Sequence, residues 1–372
     1  MISSAKPFFR EKDIDFITKQ IREVLRGGRL IDGPKLREFE EKFSEFIGTK
    51  YAVGVNSCTT ALEISLRYLN LNGGEVIVPS YTFIASANTI IYSVGKPIFT
   101  EVEKDTLNLD PDEIRKNISS KTKAVIIVYI AGYITPRIDE ILKICEEHNL
   151  TLIEDCAHAL GSSFKGRKAG SFGVSGCFSF WPTKIMTTGT GGVITTNDEN
   201  FMNYAKSLRF HGIGKNLQDI VNYGNDWLMN EIIACVGLGQ MKVFKESINR
   251  RKRLVNYYKE ELKDVKGIEL FNSHPDVDSA QYKFLIFLNK KYDAIKINKI
   301  LREEYNIQSE FLYYPPVHLM QIYKRVGYKE GLLPRTEWFS KSHICLPLHP
   351  FLTKRDVKKV VKVFKKVLDM FW

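Results

Sequence analysis

The chain has 372 residues, 44% hydrophobic and 26% charged, enough for one large core or two fused lobes and too apolar for a disordered chain. Lys and Arg (54) exceed Asp and Glu (43), and the net charge of +11 admits nucleic acid, an acidic membrane surface or a phosphate-bearing small molecule as partner. No apolar run approaches the ~20 residues of a membrane helix, and MISSAKPFFREKD meets charge and proline too early for a signal-peptide core. A soluble, cytoplasmic protein is expected.

In chain order, residues 13–28 space Ile14, Phe16, Ile17, Ile21, Val24 and Leu25 as one helix face and stop at Gly27-Gly28. A second helix is expected from Lys35 to about Ile47. From there to about Val193 short apolar runs alternate with helical stretches. Strands are predicted at VGV before Asn56, at EVIVP, KPIFTEV, KAVIIVY, TLIEDCA, CFSFW and GGVITT. Helices are predicted at TALEISLRYL, TFIASANTII and PRIDEILKICEEH. Continuous apolar runs such as Val125–Val128 suit parallel strands covered on both faces, so the expected class is α/β with a large, mostly parallel sheet. A long helical region is expected from Asn230 to about Lys263, followed by a smaller α+β lobe containing the strands QYKFLIFL and ICLPL. The expected boundary gives a large domain at 1–246 and a small one at 247–372, with the N-terminal helix free to pack on the latter.

Much of the basic excess lies in KKYDAIKINK and KRDVKKVVKVFKK, at spacings that put lysines on solvated helix faces. No zinc spacing, RNP motif or helix-turn-helix supports a nucleic-acid binder. The six cysteines (Cys58, Cys145, Cys156, Cys177, Cys235, Cys345) form no CxxC pair and no Cys/His ligand set, so reduced core thiols and no metal are expected.

Three segments carry candidate chemistry. In EDCAH, Asp155 follows an apolar run and stands at a strand's carboxyl end, where open α/β sheets bind ligands. It can bind a cation, orient a base, pair with a protonated heterocycle, or simply cap the next helix. In FSFWPTKIMTTGTGG, Lys184 also follows a strand and precedes a glycine-rich segment; desolvation beside aromatics turns such an amine into a nucleophile. In VGVNSCTTALEISL, Ser57, Cys58 and Thr59 open a helix, where backbone N–H groups and hydroxyls form a phosphate cradle or serve as an N-cap. Together, a phosphate cradle, a strand-end acid and a strand-end lysine fit one cofactor, pyridoxal 5′-phosphate.

These blocks, with PFFRE, GGRLIDGPKLREFEEKFSEFIGTKYAVGVNS, EVIVPSYTFIASANTI, LRFHG, YYPPVHL and LPLHP, resemble the DegT/DnrJ/StrS-type sugar aminotransferases nearly end to end. Those are pyridoxal phosphate enzymes of the aspartate aminotransferase fold, fold type I. The resemblance implies that Lys184 is the Schiff-base lysine and general base, and that Asp155 holds the pyridine nitrogen. It implies that Phe83 stacks on the ring, that His158 lies near the cofactor, and that Ser179 with Ser57, Cys58 and Thr59 binds the phosphate. His318 and His349 fall in motifs that line the substrate side in similar enzymes.

Several positions depart from the family pattern. Cys58 replaces the glycine of the usual Ser-Gly-Thr, where a side chain is expected to crowd the phosphate, and Thr190 replaces a Glu. Asp226 aligns with an Asn that reaches the neighbouring subunit's cofactor phosphate, so either Asn225 takes that role or the contact is absent; Leu228 replaces an Arg. The resemblance implies a homodimer with shared active sites and amino transfer from L-glutamate to a nucleotide-linked keto-sugar. His158 favours C4 of a 4-keto-6-deoxy sugar over C3. Alternatives are a ligand sensor that keeps the fold, favoured by the altered phosphate loop, and a sugar dehydratase, disfavoured because those enzymes carry histidine in place of the lysine.

Overall fold

The computed structural model describes residues 1–271 and 274–371. An extended N-terminal segment, in which Ile2 bridges Ile307, leads into α1 (Glu11–Gly27) and α2 (Pro34–Ile47). The α2 entry is fixed from a distance: the N–H groups of Gly33, Lys35 and Leu36 donate to the Glu231 carboxylate at 3.1, 2.9 and 2.8 Å. One buried acid thereby answers several of the donors a helix start leaves open.

Strands and helices then alternate: β1 (Tyr51–Val55), α3 (Cys58–Tyr68), β2 (Glu75–Pro79), α4 (Ile84–Tyr92), β3 (Lys96–Thr100), α5 (Pro111–Asn117), β4 (Thr122–Val128), α6 (Ile138–Glu147) and β5 (Thr151–Asp155). Two short strands, β6 (Ser163–Phe164) and β7 (Arg167–Lys168), precede β8 (Ser175–Ser179), β9 (Gly192–Thr196) and α7 (Glu199–Leu208). The main sheet has the order β1-β9-β8-β5-β4-β2-β3, and β9 alone runs antiparallel to its neighbours. Val125–Val128 are buried on both faces, as a strand covered by helices on each side requires. The helix α5, opened by Asp110 as N-cap and Pro111, and α7, capped by Asp198, are too short or too polar for periodicity to reveal.

The expected single helix from Asn230 is two: α8 (Glu231–Met241) and α9 (Phe244–Leu262), separated where Val243 leaves helical geometry (φ −120°, ψ −14°). The reason is a change of surroundings: α8 packs between α1 and α2, whereas α9 carries a basic outer face and packs on the C-terminal helix. The remaining chain forms β10 (Ile268–Leu270), β11 (Val277–Asp278), β12 (Phe284–Leu288), α10 (Ala294–Glu303), α11 (Gln321–Lys324), α12 (Pro334–Lys341), β13 (His343–Leu346) and α13 (Lys354–Asp369). Antiparallel β10-β12-β13 shares a core with α9, α10 and α13 through Leu254, Tyr258, Phe284, Ile297, Val360 and Phe364. The short strand β11 returns to pair with β6, which stitches this part to the first. The helix α1 packs on α8, and the extended residues before it reach the smaller sheet's surroundings. On α13 the valines, Phe364 and Leu368 face inward while Lys358, Lys359, Lys362, Lys365 and Lys366 are exposed, a solvated basic face.

His343 on β13 is fully buried, with Nδ1–H donating to the Phe339 carbonyl (2.8 Å) and Nε2 accepting from the Leu312 N–H (2.8 Å). Burial pushes its pKa down to about 4. A base depressed in the folded state stabilises fully above its unfolded pKa of ~6.5, and that contribution is lost as pH falls toward about 4. Denaturant melts should therefore lose about 3 kcal/mol from this site across that window. In His343→Gln the slope should flatten, and an unchanged slope would assign the acid lability elsewhere.

Candidate active site

The carboxyl ends of β5 and β8, the turn between β1 and α3, and the entry to β12 meet around a cavity of about 500 Å³. Asp155, the last residue of β5, is buried and accepts hydrogen bonds from Ser86 Oγ (2.7 Å) and the Ala157 N–H (3.1 Å). Burial pushes its pKa up, against the pull of these donors and of the Lys184 cation. Among the described residues no cation stands within ion-pair distance of it.

Ser57 caps α3 by accepting from the Thr60 N–H (3.1 Å), leaving the Cys58 and Thr59 N–H groups at the helix start without intrahelical acceptors. The strand β9 approaches this turn so closely that a Cβ on Gly192 would lie 2.5 Å from the Ser57 carbonyl carbon and 2.7 Å from Cys58 N. Only glycine fits there. Thr190 fastens the other side, its hydroxyl donating to the Asn56 carbonyl (3.0 Å). The Cys58 side chain, expected to crowd a phosphate, turns inward: its thiol lies 3.4 Å from the Cys177 carbonyl and 3.9 Å from Asp155 Oδ1.

After Ser179 the chain turns through Trp181 and Thr183 to Lys184, whose Nζ lies in the cavity 5.0 Å from the Tyr282 ring centre. Among the described residues the amine has no hydrogen-bond acceptor. The Tyr282 hydroxyl and Thr183 Oγ1 are 3.1 Å apart. Burial raises the Tyr282 phenol's pKa, but the Lys184 and Lys283 cations outweigh it and the net shift is downward. His158 stacks on Tyr282 (4.2 Å) with its Nε2 2.9 Å from the Tyr313 hydroxyl, and its buried Nδ1 has no partner among the described residues. Burial, then Lys184 and Lys283, drive its pKa far below the usual range, so the ring is neutral.

Ser57, Cys58, Thr59, Phe83, Asp155, His158, Ser179 and Lys184 thus share one cavity wall. Phe83 is 57% exposed and lines this cavity, so it is not part of the hydrophobic core. Two other expectations are corrected. His318 is fully buried away from the cavity, between Ser80 Oγ (2.6 Å) and Glu337 Oε1 (3.1 Å), and His349 is buried beside Ser3 (3.3 Å). Asn225 is exposed and outside this chain's own cavity, its Oδ1 accepting from the Asp226 N–H (2.8 Å). Sequence reasoning missed Trp181, Thr183, Tyr282, Lys283, Glu310 and Tyr313. The first two were within reach, flanking Lys184 in the same aromatic run; the others arrive from the smaller lobe through tertiary packing.

A mostly parallel sheet with an acid at one strand end and a free lysine after its neighbour defines a pyridoxal phosphate-dependent aminotransferase. The chain belongs to the DegT/DnrJ/EryC1/StrS aminotransferase family, whose model matches residues 11–365. It is 32% identical to GDP-perosamine synthase from Caulobacter vibrioides, covering 89% of each chain. It is also 32% identical to the spore coat polysaccharide biosynthesis protein SpsC of Bacillus subtilis, covering 94% of each. The aminotransferase TlmJ of Streptoalloteichus hindustanus superposes with a TM-score of 0.93 at 28% identity, covering 100% of each chain.

The residues present fit the cofactor. A buried carboxyl without an ion-pair partner and an amine without a hydrogen-bond acceptor among the described residues, and a helix start that presents N–H groups, are complementary to a pyridinium, a carbonyl carbon and a phosphate. When bound, the cofactor supplies an electrophilic carbon and an electron sink.

All six cysteines are buried, and burial first, then Asp155, raises the Cys58 thiol far above its ordinary range. Native protein should therefore consume less than about one equivalent of Ellman's reagent per chain over minutes, rising to all six thiols in denaturant. Rapid native reaction at Cys58 would show its thiol turned toward the cavity instead.

Proposed function

We propose that the protein transfers an amino group from L-glutamate to a nucleotide-linked keto-sugar, at C4 of a 4-keto-6-deoxy sugar, making an amino sugar for a polysaccharide or glycoconjugate. The observation that carries the reading is the Lys184 amine, free in a cavity floored by Asp155. Lys184 takes the proton from the donor's α-carbon and later returns one to the sugar carbon. Asp155, whose charged form the hydrogen bonds from Ser86 and the Ala157 N–H favour against burial, would pair with the ring nitrogen and keep a proton on it. Ser57, the N–H groups of Cys58 and Thr59, and Ser179 would hold the phosphate, and Phe83, which lines the same cavity, would pack against the ring. His158, neutral, stacked on Tyr282 and in hydrogen-bond contact with the Tyr313 hydroxyl, lines the cavity, and the resemblance associates histidine at this position with amination at C4.

The nucleotide linkage is supported by the relative named GDP-perosamine synthase, and the basic excess of the chain suits a doubly phosphorylated substrate. Lys184 being lysine favours transfer over dehydration. We also read the protein as a cytoplasmic homodimer; among the described residues no helix is long and apolar enough to cross a membrane. The exposed segment carrying Leu217, Ile220, Val221 and Tyr223 (97% exposed) is an apolar surface suited to a second copy. Asn225 reaches across better than Asp226 does: its amide keeps unspent donors for a phosphate, whereas a carboxylate offers none.

Purified protein incubated with pyridoxal phosphate should turn yellow and bleach when L-glutamate is added, with ping-pong kinetics once a keto-sugar nucleotide is supplied. Lys184→Ala should fold normally and lose turnover; retained transfer would mean another lysine carries the reaction. Sedimentation of the active enzyme as a monomer would sink the shared-site arrangement.

A further inference from the structure

Lys283 is the second cation of the cavity wall. It enters on the smaller lobe, one residue before β12, with its side chain only 5% exposed. A buried ammonium has three donors to satisfy. Among the described residues Lys283 spends them on one acceptor, the Glu310 carboxylate. Burial opposes its charge, but Tyr282 and Glu310 outweigh burial and hold the amine protonated. Two N–H groups of a permanent cation are therefore unspent in the wall of the reacting cavity.

Its position is close to the chemistry. Lys283 Nζ lies 5.2 Å from the Tyr282 ring centre and Lys184 Nζ lies 5.0 Å from the same centre. Both amines pack against one ring in the same cavity wall, which favours a carboxylate one bond from the reacting carbon over the pyrophosphate of a nucleotide sugar, several bonds further out. Glu310 is arranged to let go. It is more exposed than its partner (31% against 5%), and its other oxygen accepts from the Ser4 hydroxyl of the N-terminal segment. Released by Lys283, it keeps one hydrogen bond and access to water.

We propose that Lys283 is the docking cation for a carboxylate of the amino donor, with Glu310 as the counter-ion that yields to it. This deepens the reading of L-glutamate as donor and rests on it. Removal of the cation and removal of its competitor then act in opposite directions, which damage to the fold cannot imitate.

The probe is glutarate, a dicarboxylate without an amino group, titrated calorimetrically into the cofactor-loaded protein. Lys283→Gln should weaken its binding about tenfold or more, and Lys283→Arg should restore most of it. Glu310→Gln should tighten it several-fold. Glutarate that fails to bind the wild type, binds Lys283→Gln as well as the wild type, or is weakened by both single changes overturns the proposal. A wild type that binds glutarate with the expected dependence but is not bleached by L-glutamate keeps the carboxylate site and loses glutamate as the donor.

Discussion

Asp155 stands largely buried on the floor of the cavity, at the carboxyl end of a strand with parallel neighbours on both sides, and burial raises the cost of its charge. The site is organised around that cost. Ser86 comes from the first turn of α4, and the Ala157 N–H comes from the turn directly after the strand. Both must be in place before the acid can ionise, and neither supplies a positive charge. A protonated heterocycle held against Asp155 completes the set, because a buried anion is stable only when hydrogen-bonded and paired. The neighbouring Glu154, pointing to the opposite face, solves the same difficulty without a ligand. It takes the N–H groups of Gly170, Phe172 and Gly173 and the Tyr129 hydroxyl at 2.7–2.8 Å. Two adjacent acids on one strand thus divide into a closed structural network and an open functional one.

The second wall of the cavity depends on an unusual cation. Arg251 on α9 is buried without a carboxylate partner among the described residues, donating instead to the carbonyls of Tyr282 (3.2 Å) and Leu348 (2.9 Å). It ties the entry to β12 to the chain beyond β13, which fixes the backbone that presents Tyr282 and Lys283. Tyr282 then serves as a common surface, with His158 stacked on its ring and two lysine amines within about 5 Å. Those cations favour a polarised phenol and a neutral imidazole at once, so the electrostatics of the wall follow from its packing.

Sequence legibility tracks whether contacts are local. Asp155, Lys184 and the Ser57–Thr59 turn were readable because each follows an apolar strand, and strand ends converge in an open α/β sheet. The regular β2–α4–β3 and β4–α6–β5 units were readable from period alone. Tyr282 and Lys283 were not, since nothing in QYKFLIFL separates a residue facing the cavity from one facing the small core, and Glu310 lies in a segment for which no element was predicted. His318 and His349 misled for a related reason: motif position located them, and burial decided their partners. The division of the long C-terminal helical stretch at Val243 escaped because α8 and α9 are each helical in sequence and differ only in what covers them.

Cys58 shows how a cradle tolerates a residue that its pattern does not anticipate. A phosphate at a helix start is held by N–H groups and by the helix dipole, so the side chain at that position matters only through the space it takes. The Cys58 thiol takes space beneath the turn, against the Cys177 carbonyl and beside Asp155. The close approach is carried instead by Gly192 on the adjoining strand, where any side chain would meet the Ser57–Cys58 peptide. The Cys58 side chain leaves the N–H donors of the turn where they are, and the altered loop therefore retains the groups that a phosphate needs.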